Sequence, residues 1–170
     1  DLVIEVTADM LRLAGVAADM DAARALAEAR LADGSAAERF GRMIAIMGGP
    51  ADFMERPEHY LPKAAVVAPC HPETPGYVAS MVAKDVGLAL IALGGGRKKP
   101  DDPIDLTVGF TGFCQVGDYV DGDKPLCVIH ARNEAEWQDA AARVRAAITL
   151  APDAPAPLGP IVIERIEQHP

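Results

Sequence analysis

The residues of this chain that best combine charge with a suggestive spacing form the run GGGRKK, which follows an apolar segment. Glycine loops that bind phosphate normally precede a helix, so that the helix N-terminal amides face the anion. Here the glycines follow a predicted helix, and we therefore expect them to end it. The three cations can still offer charge to an anionic ligand across a cleft. These six residues are the candidate site: Gly94, Gly95, Gly96, Arg97, Lys98 and Lys99.

Three carboxylates, Asp118, Asp121 and Asp123, are close enough in sequence to suggest a calcium loop. Their spacing differs from the Asp-x-Asp-x-Asp-Gly pattern with its distal Glu. Aspartate and glycine also supply the backbone geometry of tight turns. The segments VGD and DGD are therefore interpreted as turns between strands.

The cysteines allow two interpretations. Cys114, Cys127 and His130 have the chemistry of metal ligands, but buried cysteine often serves only as a small apolar residue. With Cys70 the count is three, an odd number without the spacing of a metal site. We expect reduced thiols in a cytoplasmic protein, with no metal and no organic cofactor.

His59 and Tyr60 form another pair with catalytic potential, in a connector punctuated by prolines. The sequence shows no partner acid for them, so the alternative is that the connector simply packs on neighbouring helices. Phe40 and the methionines near it follow helical spacing, which favours core packing over a ligand pocket.

Composition excludes some functions. The chain has 16 Lys and Arg against 25 Asp and Glu, a net charge of -9, which disfavours nonspecific binding to nucleic acid. No apolar run approaches the roughly 20 residues of a membrane span. The N-terminus lacks the basic start of a signal peptide and opens in an amphipathic segment, which suggests a fragment or a processed product.

Helical periodicity dominates the first fifty residues. It predicts one helix that ends at Gly15, and a second that is capped by Asp19 or Asp21 and ends near residue 34. A third begins with the capping-box pattern of Ser35 and Glu38 and stops at 48–50.

The second half mixes strands and helices. Strands are predicted at 63–70, 76–82, 104–114 and 126–130, and an apolar, buried helix is predicted to run to residue 93. Asn133 is expected to cap a helix whose inner face carries the following residues: Trp137, Ala141, Val144 and Ile148.

The predicted fold class is α+β, in three parts. Residues 1–60 form a helical segment, residues 63–150 a domain with a small mixed, mainly antiparallel sheet, and residues 151–170 a proline-rich tail. A final edge strand is possible at 161–163.

Several motifs together resemble one family. AAERFGRMIAIMGGPADF, GYVASM, LALIALGGGRKKPDDPIDLTVGF and VGDYVDGDKPLCVIHA occur in this order. The chain is similar to the C-terminal part of thymidine phosphorylase and its pyrimidine-nucleoside phosphorylase relatives. The resemblance covers about 35–150 and implies an α/β-hammerhead C-terminal domain after the closing helices of a larger α/β domain.

The resemblance also implies a reaction. In that family, phosphate attacks thymidine to give thymine and 2-deoxy-D-ribose 1-phosphate, in a homodimer that needs no cofactor beyond the phosphate co-substrate. The family's phosphate-binding and base-binding motifs belong to its N-terminal portion and have no counterpart here. The implied catalytic residues therefore lie upstream, and this segment alone is expected to be inactive, with a structural role in cleft closure.

Two alternatives remain open at this stage. VGDYVDGDKPL also resembles half of a biotinyl or lipoyl carrier domain, in which a lysine at a hairpin tip holds the cofactor. Lys84 is the candidate for that role, although a predicted helix follows it instead of a hairpin. The other alternative is an interaction domain that stands alone without catalysis.

Overall fold

A computed structural model describes residues 2–166 of the chain. The chain divides into two compact units. The first contains residues up to 61 together with the segment from 159 onward, and the second contains residues 62–158. Among the described residues, no helix combines the length and the apolar character needed to cross a bilayer.

The first unit is helical. Its elements are α1 (Leu2–Leu13), α2 (Met20–Ala32), α3 (Ser35–Ile46) and the single turn α4 (Pro57–Tyr60). The buried residues between α1 and α2 are alanines, Ala8, Ala23 and Ala27, and these small side chains allow the two backbones to approach closely. Asp19 caps α2 as predicted, because its carboxylate accepts the Ala22 amide at 2.8 Å.

The capping box predicted for α3 is wrong. The N-cap is Gly34, whose φ of 80° lies in the left-handed region, and Ser35 is already the first helical residue. The Ser35 amide instead donates to the Asp33 carboxylate at 2.9 Å. Asp33 thus satisfies the helix start from outside, and Ser35 is one position too late to act as the cap.

The second unit is an α+β domain, as predicted. Its elements in chain order are β1 (Val66–Cys70), β2 (Gly76–Met81), α5 (Ala83–Leu93), β3 (Gly109–Thr111), β4 (Tyr119–Val120), β5 (Cys127–Ala131), α6 (Glu134–Ala146) and β6 (Ile148–Ala151). The strands form two small antiparallel sheets, ordered β1-β5-β3 and β4-β2-β6, whereas the sequence predicted a single mixed, mainly antiparallel sheet.

The core of this unit lies where α6 meets the strands. Burial alternates along β5, so Cys127, Ile129 and Ala131 face inward. Val144 of α6 and Val78 of β2 are fully buried in the same cluster. The helix α5 contributes less than predicted, since only Ala89 and Leu93 are buried and Leu88 is 50% exposed.

Two strand boundaries differ from the predictions. The strand predicted over 104–114 shrinks to β3, because Asp105 accepts hydrogen bonds from Thr107 and holds the chain in a turn. Ile148 does not extend the face of α6 but begins β6 and pairs with Met81. The β-branched pair Ile148-Thr149 favours a strand here.

The edge strand predicted at 161–163 is absent. That segment is irregular, and Ile161 and Ile163 are 62% and 93% exposed. Pro160 removes a backbone donor immediately before it, which works against pairing at a sheet edge. In the sheet ordered β4-β2-β6, an edge position belongs to β6.

Candidate functional site

The predicted glycine run ends α5. Gly94 is the C-cap with φ of 104°, and its amide donates to the Ile91 carbonyl at 3.1 Å. A Cβ on Gly95 would lie 2.5 Å from Leu90 Cδ1, and one on Gly96 would lie 2.8 Å from Ile91 Cγ1. The chain therefore folds back against its own helix at a distance that only glycine permits.

The loop that follows is closed at its neck. The Asp105 amide donates to the Gly94 carbonyl at 3.0 Å, so residues 95–104 leave and return through one point. Asp105 is itself fixed, because its carboxylate accepts the Thr107 hydroxyl at 2.6 Å and the Thr107 amide at 2.9 Å. These two bonds, with a smaller contribution from Arg132, hold the pKa of Asp105 below its usual range.

Arg132 connects this neck to the body of the domain. Its Nε donates to Glu136 at 2.8 Å, its Nη2 donates to the Leu93 carbonyl at 3.3 Å, and its Nη1 lies 3.6 Å from the Asp105 carboxylate. One guanidinium thus contacts the end of α5, the far side of the loop and the first turn of α6. The hydrogen bond from Arg132 lowers the pKa of Glu136.

The tip of the loop presents positive charge. Arg97, Lys98 and Lys99 are exposed, and within the described part of the chain no carboxylate forms an ion pair with them. The backbone beneath them is ordered, since Asp102 accepts the amides of Lys98 at 3.0 Å and Lys99 at 2.9 Å. The loop therefore has a fixed neck and carries three cations that form no ion pair within the described residues, together with the carboxylates of Asp101 and Asp102.

This geometry cannot act as a helix-capping phosphate cradle. The glycines lie at the carbonyl end of α5, where the helix dipole is negative. The amides of Lys98 and Lys99 are already used by Asp102. The exposed side-chain cations are the groups of this loop that can offer charge to an approaching anion.

The His59–Tyr60 pair acquires a partner acid that the sequence did not indicate. The Tyr60 hydroxyl donates to Asp52, which also pairs with Arg56. The hydrogen bond to Asp52 raises the pKa of Tyr60, and the same bond lowers that of Asp52. All these side chains are exposed or half-buried on one short connector, and the arrangement fastens α4 to the turn before it.

The three aspartates after β3 make turns, as predicted. Asp121 accepts the amides of Asp123 at 2.9 Å and Lys124 at 2.8 Å, and Asp118 accepts the amide of Gln115 at 2.8 Å. Lys124 pairs with Asp118 at 3.0 Å. Across residues 2–166, no cluster of three or more histidine, cysteine and acidic side chains is arranged to hold a metal ion.

Cys127 and His130 both belong to β5 but lie on opposite faces of that strand. Cys70 and Cys127 are cross-strand partners with no exposed surface, and Cys114 is 6% exposed. Burial raises the pKa of the Cys114 thiol, and the adjacent Cys70 together with burial raises that of Cys127. His130 alternates to the opposite face, where its Nε2 lies 2.9 Å from the Thr111 hydroxyl.

Lys84 does not have the position of a carrier lysine. It lies in the first turn of α5, which begins at Ala83 after the N-cap Val82. A carrier lysine projects from the tip of a hairpin between two strands, where an enzyme can reach it. The geometry around Lys84 therefore gives no support to the carrier interpretation.

Sequence reasoning missed Arg132 and Asp105. The spacing of Arg132 and Glu136 is the i, i+4 arrangement of a helical ion pair, and it could have been recognised. The contact between Arg132 and Asp105 joins residues distant in sequence, so it depends on the fold. Sequence spacing carries no signal for it.

One comparison with known proteins bears on this site. Residues 77–151 match the family model described as the pyrimidine nucleoside phosphorylase C-terminal domain. The match starts at the second residue of β2 and ends with the last residue of β6, so it includes the loop and its neck. Over these residues the chain is therefore similar to the C-terminal domain of the pyrimidine nucleoside phosphorylases.

Proposed function

We propose that the chain is the C-terminal part of a thymidine phosphorylase, which converts thymidine and phosphate to thymine and 2-deoxy-D-ribose 1-phosphate. The observation that carries this proposal is the family match over 77–151. The narrower choice of thymidine rests on the sequence resemblance. We further propose a cytoplasmic homodimer that uses phosphate as co-substrate and needs no other cofactor, with free thiols at all three cysteines.

The reaction makes two demands on the complete enzyme. Charge grows on the departing base and must be stabilised by donors, and phosphate must be held near the sugar by cations. We place the groups that break the bond upstream of this chain. The contribution of the C-terminal domain is then to help close the cleft over bound substrates.

The loop after α5 is the part of this domain that fits such a role. Its neck is anchored to the domain by the Gly94–Asp105 hydrogen bond and by Arg132. Its exposed cations, Arg97, Lys98 and Lys99, have no carboxylate partners within the part of the chain that the structure describes. On closure they would add positive potential near a dianionic substrate.

Charge reversal of the three cations tests this role in a complete thymidine phosphorylase that carries this domain. We expect Arg97→Glu, Lys98→Glu and Lys99→Glu together to raise the KM for phosphate by about tenfold, or to slow turnover. Each removed cation alters a solvent-screened interaction of about 0.2–1 kcal/mol, and reversal roughly doubles it. Initial-rate kinetics at fixed ionic strength measure the change.

The matched control is Lys84→Glu, which reverses an exposed cation of the same domain at the other end of α5. It should leave the KM for phosphate within about twofold of the parent, since exposed charges are screened over about 10 Å at 0.1 M salt. Unchanged kinetics in the triple variant, or an equal effect of Lys84→Glu, would refute the role assigned to the loop.

A further inference from the structure

The second unit contains a pocket of about 270 Å³ on the side of α6 that faces the loop between β1 and β2. Its lining combines apolar and polar side chains. The apolar ones are Leu126, Ile148 and Leu150. The polar ones are Glu73 and Thr74 from the loop and Arg145 from the last turn of α6. All these residues belong to one compact unit.

The floor of the pocket is apolar and firmly placed. Leu126 is 1% exposed and belongs to the core cluster, and Ile148 is 7% exposed. Ile148 is also fixed by the pairing of β6 with Met81 of β2. A ligand that rests here therefore meets a rigid apolar surface.

Arg145 supplies a half-buried positive charge. Its Nε donates to the His71 carbonyl at 2.9 Å, which sets the position of the guanidinium. Within residues 2–166 it forms no ion pair with a carboxylate. Arg143, two residues earlier on α6, is exposed and pairs with Asp139 at 2.7 Å.

A half-buried guanidinium without a counter-ion has donors to spare. Five N–H groups are present and one of them binds His71, so the others are available to a planar anion. The chain as a whole carries a net charge of -9, so an anion is not drawn to it by long-range attraction. Binding at this place would depend on the local pairing with Arg145.

We propose that this pocket binds a small organic monocarboxylate with an apolar body. The carboxylate would pair with Arg145 and accept from the Thr74 hydroxyl, while the apolar body covers Leu126, Ile148 and Leu150. Glu73, which is exposed, opposes the anion and limits its affinity. This site is independent of the loop after α5 and of the proposed phosphorolysis.

Titration of the 170-residue chain with benzoate, followed by two-dimensional NMR at constant ionic strength, tests the proposal. We expect saturable shifts at Thr74, Ile148, Leu150 and the Arg145 Nε–H, with a dissociation constant on the order of 1 mM for so small a ligand. Benzyl alcohol and inorganic phosphate, which each lack one of the two features, should bind at least about tenfold more weakly. Either of them binding as well as benzoate, or shifts that do not saturate, would overturn the proposal.

Two variants of α6 test whether benzoate binding depends on Arg145. Arg145→Gln should weaken benzoate binding by about tenfold or more through loss of a charge-assisted pair. Arg143→Gln, the matched control on the same helix, should bind as the parent does. Equal weakening in both variants, or none in Arg145→Gln, contradicts the site.

Glu73→Gln provides a test that does not disturb the core, because that side chain is exposed. Removal of the opposing charge should strengthen benzoate binding by about two- to fivefold and leave benzyl alcohol unaffected. If Arg145→Gln loses the native spectrum, two measurements still test the proposal. They are the affinity of Glu73→Gln for benzoate and the preference of the parent for benzoate over benzyl alcohol. A Glu73→Gln variant with unchanged affinity for benzoate counts against the proposal.

Discussion

Glu5 shows how much one residue can organise in the helical unit. Its carboxylate accepts from Arg24 of α2 at 2.6 and 3.0 Å, and from Arg165 of the C-terminal segment at 2.7 Å. These two guanidinium groups, Arg24 first, lower the pKa of Glu5 to about 2. Arg165 also pairs with Asp9, one turn further along α1.

A pH-dependent contribution to stability follows from Glu5. Its folded pKa lies below the ordinary value of 4.5, so its contribution is fully present above that value and is lost as the pH falls towards 2. Glu5→Gln should therefore lower the melting temperature at pH 7, and the difference from the parent should shrink steadily between pH 5 and pH 2. Circular dichroism melts across this range measure it.

The control for this prediction is Glu28→Gln, at an exposed position of α2 whose side chain forms no ion pair within the described structure. Its melting temperature should equal that of the parent at every pH. A Glu5→Gln difference that stays constant down to pH 2 would show that the lost contact is not electrostatic.

At the scale of single residues, local chemistry was predictable and distant pairing was not. The caps Asp19 and Asn133 follow from residue type and position, and both accept the expected amides. Arg24 meets Glu5 and Arg132 meets Asp105 only because the fold brings their elements together. The candidate cations of the loop were chosen from the sequence and stay a prediction, whereas the residues that fix their loop were not identified.

The end of α5 is the element whose geometry most affects the candidate site. Gly94 has φ of 104°, where an L side chain is strained, and a Cβ there would lie 3.4 Å from the Arg132 guanidinium. Gly94→Ala should therefore destabilise the chain by about 1–2 kcal/mol. Urea unfolding with a fixed m-value measures the change.

A second glycine of α5 provides a control, because its substitution should change the stability in the opposite direction. Gly87 lies inside α5 with a helical backbone, and a Cβ there would meet nothing within 4 Å. Gly87→Ala should stabilise the chain by roughly 0.5–1 kcal/mol, since alanine loses less backbone entropy in a helix. Two alanine variants that shift stability in the same direction would contradict the assigned backbone conformations.

At the level of elements, the helices were predictable and the short strands were not. Apolar periodicity located α1, α2 and α6, because many residues contribute to one signal. The two-residue strand β4 exists only because β2 lies beside it. The rings of Tyr77 and Tyr119 pack together with their centroids 5.0 Å apart. A two-residue strand is too short to show an alternation of apolar and polar residues in the sequence.

At the scale of the whole molecule, the family match over 77–151 and the proposed upstream location of the catalytic groups lead to a functional prediction. The purified 170-residue chain should not convert thymidine and phosphate to thymine. The physical reason is that cations held near the sugar and donors aimed at the base must act together. Chromatographic detection of free thymine measures the outcome.

A complete pyrimidine nucleoside phosphorylase serves as the positive control, and a mock purification from cells without the chain shows the background of the host. Turnover above that background would mean that a catalytic constellation exists within these residues. The upstream location of the active site would then be wrong.

The return of the C-terminal segment to α1 has a consequence for the order of events during synthesis. The second unit is one uninterrupted stretch, 62–158, whereas the first unit is completed only by residues beyond it. On a ribosome, α1 is made before the second unit, but its ionic partner Arg165 follows only after the entire second unit has been made. The ion pairs between α1 and Arg165 can therefore form only after the second unit has been synthesised.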